Sequence, residues 1–285
     1  MPDFTDIRQR MSRVAQMMRL PLRAGQWSGL NGQIQGLGTG SSLDFQDQRP
    51  YVPGDDPRHI NWQAYARNGS YTMKLYRQEV SPRVDLVLDA SPSMFLNEAK
   101  TRRVWETVWF CIESALRLGA ALKVHLVSGS GREVPMDHVM ADRWPLEEIA
   151  ASSTGLRLDL LALRPGSLRV LISDVLFPAS PDLCLTPLVA QRGRALVLAP
   201  FCQEEADPDW SGNIDFEDCE STQRDRRRVP QSTLERYREA YRRHFDLWRE
   251  PCQRRSIAFA RIGAEGDFIA ALRAEAATVG AVELT

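Results

Sequence analysis

Five oxygen-bearing side chains stand where a wound α/β sheet presents its ligands. Asp89, Ser91 and Ser93 directly follow the apolar run Val84–Leu88, Asp174 follows the run ending at Ile172, and Thr154 lies in the stretch between. A carboxylate, two hydroxyls two residues apart, a distant threonine and a second carboxylate are all hard oxygen donors. Mg²⁺ or Mn²⁺ takes such donors and commonly keeps some of its waters. With few negative charges in direct contact, the cation stays under-neutralised and draws a carboxylate from another molecule. Ser152 or Ser153 offers the same chemistry as Thr154. The structural alternative is that these residues only cap the helices that follow.

Other chemistry has weaker support. Asp89 at a strand end has the position of a phosphoryl-accepting carboxylate, but Ser91 stands where such enzymes place a second acid. No lysine follows a later strand to neutralise a phosphate. There is no GxSxG elbow, and His59, His125, His138 and His244 have no triad context. Gly36, Gly38 and Gly40 resemble a nucleotide loop only superficially, since no strand precedes them and no lysine follows. The expectation is a protein that is not an enzyme.

The elements that must position the oxygens read clearly. Strands are expected at Val84–Leu88, Leu122–Val127, Leu168–Ser173, Ala195–Ala199 and Ser256–Ala260. Helices are expected at Glu98–Leu118, Leu146–Ala150, Leu156–Leu163, Leu183–Arg192 and Gln231–Arg249. Short apolar strands alternating with helices predict a doubly wound, mostly parallel, Rossmann-like α/β sheet over residues 81–285. Residues 25–80 read as a β-rich appendage, in which a Gly- and Ser-rich stretch at 25–42 precedes the turn Pro53–Pro57 and a strand from Tyr71 to Tyr76. Residues 1–24 hold an amphipathic helix, Ile7 to Leu20, with Ile7, Met11, Val14 and Met18 on one side. Packing on its own domain is its expected fate, with a membrane or partner surface as the alternative.

The 285 residues carry a net charge of -1, which argues against a general polyanion binder. The basic run Arg224–Arg228 is the one local exception, and acids flank it. Five scattered cysteines, Cys111, Cys184, Cys202, Cys219 and Cys252, without CxxC or HxxxH spacing, suit reduced thiols in the cytoplasm. No apolar run approaches the roughly 20 residues of a membrane span.

The order Asp89, Ser91, Ser93, Thr154, Asp174 resembles the metal-ion-dependent adhesion site of von Willebrand A domains. A second resemblance lies upstream, in Phe45, Arg49, Tyr51, Pro53, Gly54, Asp55, Asp56, Arg58, Ile60, Trp62, Ala66, Arg67 and Glu79. These residues resemble the hallmark of a bacterial domain-of-unknown-function family, number fifty-eight. Asp218–Thr222 and the helix around Tyr237 are also similar to its members. Two departures stand out: Asn61 replaces the usual Asp before Trp62, and Ser153-Thr154-Gly155 replaces Gly-Gly-Thr. The resemblance implies a von Willebrand A-like adaptor that works with a MoxR-type AAA+ ATPase and completes its Mg²⁺ shell with an acidic side chain of a client. Within the upstream block, Trp62 is expected to anchor by burial, and Asp55, Asp56, Arg58 and Arg67 to form a charged network. The functional alternative is that Arg58 and Arg67 contact a partner beside the metal.

Overall fold

Val84–Leu88 is apolar at every position but Asp85, because it runs through the middle of a sheet covered on both faces; the buried Asp85 is paired with Arg164 and Ser167. The computed structural model describes residues 4–22, 43–78, 81–150, 152, 154–220 and 223–285. In chain order its elements are α1 (Phe4–Met17), β1 (Met18–Arg19), β2 (Leu43–Pro50), α2 (Trp62–Asn68), β3 (Thr72–Gln78), β4 (Arg83–Asp89), α3 (Glu98–Arg117), β5 (Ala121–Val127) and β6 (Gly131–Val134). They continue as α4 (Met136–Met140), β7 (Leu168–Ile172), α5 (Pro181–Val189), β8 (Arg194–Phe201), α6 (Gln203–Ala206), β9 (Gly212–Glu217), β10 (Arg224–Val229), α7 (Gln231–Arg254), β11 (Ala258–Gly263), α8 (Phe268–Ala271) and β12 (Glu283–Leu284). The chain divides into two compact units, one of residues 1–23 with 82–285 and one of residues 24–81.

The larger unit is an α/β fold on a six-stranded mixed sheet of order β11-β8-β7-β4-β5-β6. All neighbours are parallel except β6, which pairs antiparallel with β5. From β4 the chain moves first outward to β5, then returns to β7 on the opposite side. Strand order therefore reverses at β4, and a crevice opens at the carboxyl ends of β4 and β7. One face of the sheet carries α5 and α7, whose Leu185, Leu188, Tyr241, Phe245 and Trp248 pack on Val87, Leu171, Val197 and Phe259. The long helix α3 packs on the sheet and on α1, with Trp105, Trp109 and Phe110 fully or almost fully buried. Each such side chain contributes about 1.5–3 kcal/mol by leaving water.

Helix α1 buries Phe4, Ile7, Met11 and Val14, with Phe4 set edge-on against Trp105 at 4.9 Å. Its apolar stripe is thus consumed by its own unit. The helix ends at Met17 rather than Leu20, because Met18 and Arg19 pair with Leu284 and Glu283. Leu146–Ala150 and Leu156–Leu163 do not form the expected α-helices. Each contains a single 3-10 turn, at Leu146–Glu148 and Leu158–Leu160, although Leu156 and Leu158 still reach the core. The last parallel strand runs from Ala258 to Gly263 rather than Ser256 to Ala260. Ser256 and Ile257 are taken up by the turn that ends α7, where Ser256 has φ +54° and Ile257 N–H reaches Cys252 O at 2.9 Å. The run Arg224–Arg228 is strand β10, and Arg224, Arg226 and Arg227 pair with Glu217, Asp215 and Asp225. Among the described residues, no helix is long and apolar enough to cross a membrane.

In the smaller unit β2 and β3 form an antiparallel pair with a bulge between Phe45 and Asp47. Gly54 takes φ +108°, which an L side chain rarely adopts, to turn the chain after β2. The charged groups pair locally, Arg49 with both oxygens of Asp55 at 2.7 Å and Arg58 with Asp56 at 2.7 Å. Arg49 rather than Arg67 thus completes the network, because the turn folds Asp55 back onto β2. Trp62 is not an anchor by burial. It is 57% exposed in the first turn of α2, edge-on to Tyr65 and Tyr71. The Gly-rich stretch 25–42 and Glu79 lie outside the described residues.

Asn61 is the N-cap of α2, its Oδ1 accepting the Ala64 N–H at 3.2 Å while its own N–H reaches Thr72 O at 2.7 Å. Asn caps as well as Asp, so the missing charge costs this turn little. Asn61→Ala is expected to destabilise α2 by about 1 kcal/mol, and Asn61→Asp to be near neutral. Amide exchange of Trp62–Asn68 checks this; equal protection in wild type and Asn61→Ala would rule the cap out.

Candidate metal centre

Asp89 is the last residue of β4, and the turn after it is pinned by Ala90 N–H to Val127 O at 2.9 Å. Asp89 Oδ1 accepts the Ser91 N–H at 2.9 Å, which folds the chain so that Pro92 opens a 3-10 turn. This brings the Ser91 and Ser93 hydroxyls to 3.1 Å from each other. Neither hydroxyl is spent on capping. Ser91 makes no cap hydrogen bond, and α3 is capped by Asn97, whose Oδ1 accepts the Lys100 N–H at 2.8 Å. The capping alternative therefore fails at Ser91 and Ser93, whose hydroxyls bond each other instead.

The second arm follows β7, which pairs Leu88 with Ile172, so that Asp89 and Ser173 emerge side by side. Ser173 Oγ donates to Asp89 Oδ2 at 2.6 Å. Asp174 follows, its N–H on the sulfur of the fully buried Met94 at 3.1 Å and its Oδ1 accepting Leu176 N–H at 3.1 Å. Between them Val175 is forced to φ +53°, an uncommon conformation for a β-branched residue, while its carbonyl meets His244 Nε2 of α7 at 2.7 Å.

Charge decides what this crevice can hold. Asp89 is only 1% exposed, and burial, reinforced by Asp174, pushes its carboxyl up to about 7 against the hydrogen bonds from Ser173 and Ser91. Lys100, fully buried on α3, donates its Nζ to Asp174 Oδ2 at 2.9 Å and to Glu205. Burial alone would depress the Lys100 ammonium, but Asp174 and Glu205 overcome it and hold the group above its ordinary value. Glu220, between β9 and β10, also faces this corner. Burial raises its carboxyl and Asp174 adds to the effect, while the Ser93 N–H and hydroxyl oppose it. Its Oε2 is buried with no hydrogen-bond partner among the described residues. Asp174 and Glu205 thus share the one ammonium, while Asp174 disfavours the charge on both Asp89 and Glu220.

The donor set fits a hard cation in one respect and resists it in another. Asp89, Ser91 and Ser93 give an all-oxygen corner with no counter-cation of its own, as Mg²⁺ or Mn²⁺ requires. Asp174 is partly committed to Lys100. Among the described residues, no three His, Cys, Asp or Glu side chains converge as a direct metal cluster. Thr154 is exposed, and its hydroxyl meets Ser152 Oγ at 3.2 Å rather than the Asp89 corner. Ser153 lies outside the described residues. Arg58 and Arg67 belong to the other unit, where Arg58 is 83% exposed beside Asp56 and Arg67 is exposed on α2. Sequence reasoning missed the roles of Lys100, Glu205 and Glu220. The one available hint was Lys100, one of only three lysines in the chain, placed on the helix that follows the corner.

A family model described as "Protein of unknown function DUF58" matches residues 47–138. No curated protein matches the chain. Among solved structures, the chain is similar to the conserved hypothetical protein BatB from Bacteroides thetaiotaomicron. The identity is 14% and the TM-score 0.34, over 70% of this chain and 97% of that one. It is similar also to an aerotolerance-related membrane protein from Bacteroides fragilis NCTC 9343 carrying multiple mutations to serines. There the identity is 15% and the TM-score 0.34, over 70% of this chain and 98% of the other. The stretch similar to the DUF58 family model, residues 47–138, includes the Pro-Gly-Asp turn, α2, β4 and the Asp89–Ser93 corner.

Proposed function

We propose that this chain is a non-catalytic, von Willebrand A-like module that binds a protein partner through a divalent cation. The observation that carries the reading is the Asp89–Ser91–Ser93 corner. It lies at the point where strand order reverses, with its hydroxyls free of capping duty and its carboxylate buried near that of Asp174. Asp89, Ser91, Ser93 and Asp174 would hold Mg²⁺ or Mn²⁺, and Thr154 joins them by turning its hydroxyl away from Ser152. The cation supplies an electrophilic point that accepts one more oxygen ligand. An acidic side chain of a client protein is the natural donor, since the protein itself commits little negative charge directly to the ion.

A role without bond chemistry suits Asp89, because Ser91 stands where a phosphoryl-transfer enzyme places its second acid. By the family resemblance, the working partner is a MoxR-type AAA+ ATPase in the cytoplasm, which supplies mechanical work while this module holds the client. Affinity capture with wild type and Asp89→Ala, both in Mg²⁺, tests the reading. The ATPase is expected with wild type and absent with Asp89→Ala; equal recovery contradicts metal-dependent binding.

A further inference from the structure

At the opposite end of the sheet from the Asp89 corner lies a cavity of about 780 Å³, within the size range of small-molecule sites. Its apolar lining comes from the amino-terminal ends of three parallel strands. These supply Leu168 of β7, Leu196 of β8 and Phe259 of β11, with Ile257 beside them, and all four are buried. The end of α7 and the segment Ala274–Gly280 also line it.

The charges here are unbalanced. Arg194, Arg249 and Arg255 bring three guanidiniums, and Glu275 is the one acid in the lining among the described residues. Arg249 is loosely paired, 3.4 Å from Asp246 and 3.8 Å from Glu275. Arg255 meets Asp182 at 2.7 Å, but that carboxylate is 57% exposed and outside the lining. Such surface pairs are weak and exchange partners at little cost.

A further cation lies behind the wall. Arg169 is 1% exposed, and its guanidinium rests against Gly193 of the lining, where a Cβ would come within 2.6 Å of Cζ. Its hydrogen bonds go to Pro187 O, Arg164 O and Ser167 Oγ, all neutral acceptors. The nearest carboxylate, Asp85, is taken by Arg164 at 2.7 Å. Two guanidiniums thus share one carboxylate, and the excess positive charge lies against the cavity, where low dielectric strengthens its pull on an anion.

We infer that this cavity binds an amphipathic carboxylate. The guanidinium forks match the acid group, and the apolar body covers Leu168, Leu196, Ile257 and Phe259. The site stands apart from the cation reading, because it lies at the other end of the strands.

The test titrates octanoate, acetate and 1-octanol calorimetrically into the purified full chain and its variants, each at a temperature where melting curves show it folded. Octanoate is expected to bind at one saturable site, acetate not measurably, and octanol on the order of tenfold more weakly than octanoate. Arg249→Gln/Arg255→Gln weakens octanoate on the order of tenfold and leaves octanol unchanged. Glu275→Gln tightens octanoate, because the opposing charge is gone. Ala274→Phe, placed at an exposed position of the lining, fills the cavity and abolishes both. Octanol binding as tightly as octanoate, or octanoate uptake unmoved by the arginine and Ala274 changes, overturns the assignment. So does the lack of any saturable heat with octanoate.

Discussion

Lys100→Met lowers the stability of the larger unit by about 3–5 kcal/mol, the range for breaking a buried ion pair by removing one partner. Methionine matches the length of the lysine stem, so packing along α3 is largely kept and the loss is electrostatic. The ammonium is fully buried between Asp174, 2% exposed, and Glu205, which lies within the first turn of α6. Without it the buried Asp174 and the largely buried Glu205 are left without their shared cation. The native contribution survives the whole neutral range. Asp174 and Glu205 hold the Lys100 group above its ordinary value, so the stabilisation is complete at lower pH and disappears only as alkaline pH passes that raised value. Denaturant unfolding of wild type, Lys100→Met and Lys100→Met/Asp174→Asn measures it. The double variant is expected to recover part of the loss, because one orphaned charge is removed with the cation. A single variant within about 0.5 kcal/mol of wild type would show that the triad is not a structural clamp.

Asp89→Asn behaves in the opposite sense. In metal-free buffer near pH 8 it is expected to be more stable than wild type, by up to about 4 kcal/mol. Burial and Asp174 push the Asp89 carboxyl up to about 7, far above the ordinary 3.8 of an unfolded aspartate. The folded state therefore favours the neutral acid. The associated stability is fully present below the ordinary value and is lost as pH rises to about 7. Asparagine is neutral throughout and can still accept the Ser91 N–H, so its stability lacks this decline. Saturating Mg²⁺ reverses the ranking, since a ligand at about 100 times its Kd stabilises wild type by about 2.7 kcal/mol and the variant hardly at all. Melting curves across pH, with chelator and with Mg²⁺, contain both comparisons. A wild-type profile that is flat with pH and blind to Mg²⁺ would contradict the charge balance described for the crevice.

What was legible in the sequence follows from which interactions are local. Val84–Leu88, Leu122–Val127 and Leu168–Ile172 declared themselves because a parallel strand buried on both faces is mostly apolar, and only Asp85, Lys123, His125 and Arg169 interrupt these runs. Asp89 and Asp174 were legible for the related reason that the residue after such a run lies at the ligand-bearing edge. The edge strand Gly131–Val134 and the hairpin arms escaped notice because they are short and charged, with one side in solvent. Leu156–Leu163 misled through its apolar spacing, which served a non-helical segment feeding Leu156 and Leu158 into the core. Lys100 and Glu205 could not be paired by inspection, since their 105-residue separation is closed only by the sheet. Trp62 shows the limit of reading burial from residue type, because an aromatic on a short helix in a small unit finds no core to enter.

The central claim is that Asp89, Ser91 and Ser93 form a divalent-cation site. Calorimetric titration of Mg²⁺, and separately of Mn²⁺, into wild type and Asp89→Ala tests it most directly. The account predicts a saturable, single-site heat for wild type that is lost in Asp89→Ala. Equal heats in the two proteins, or no saturable heat in wild type, would contradict it.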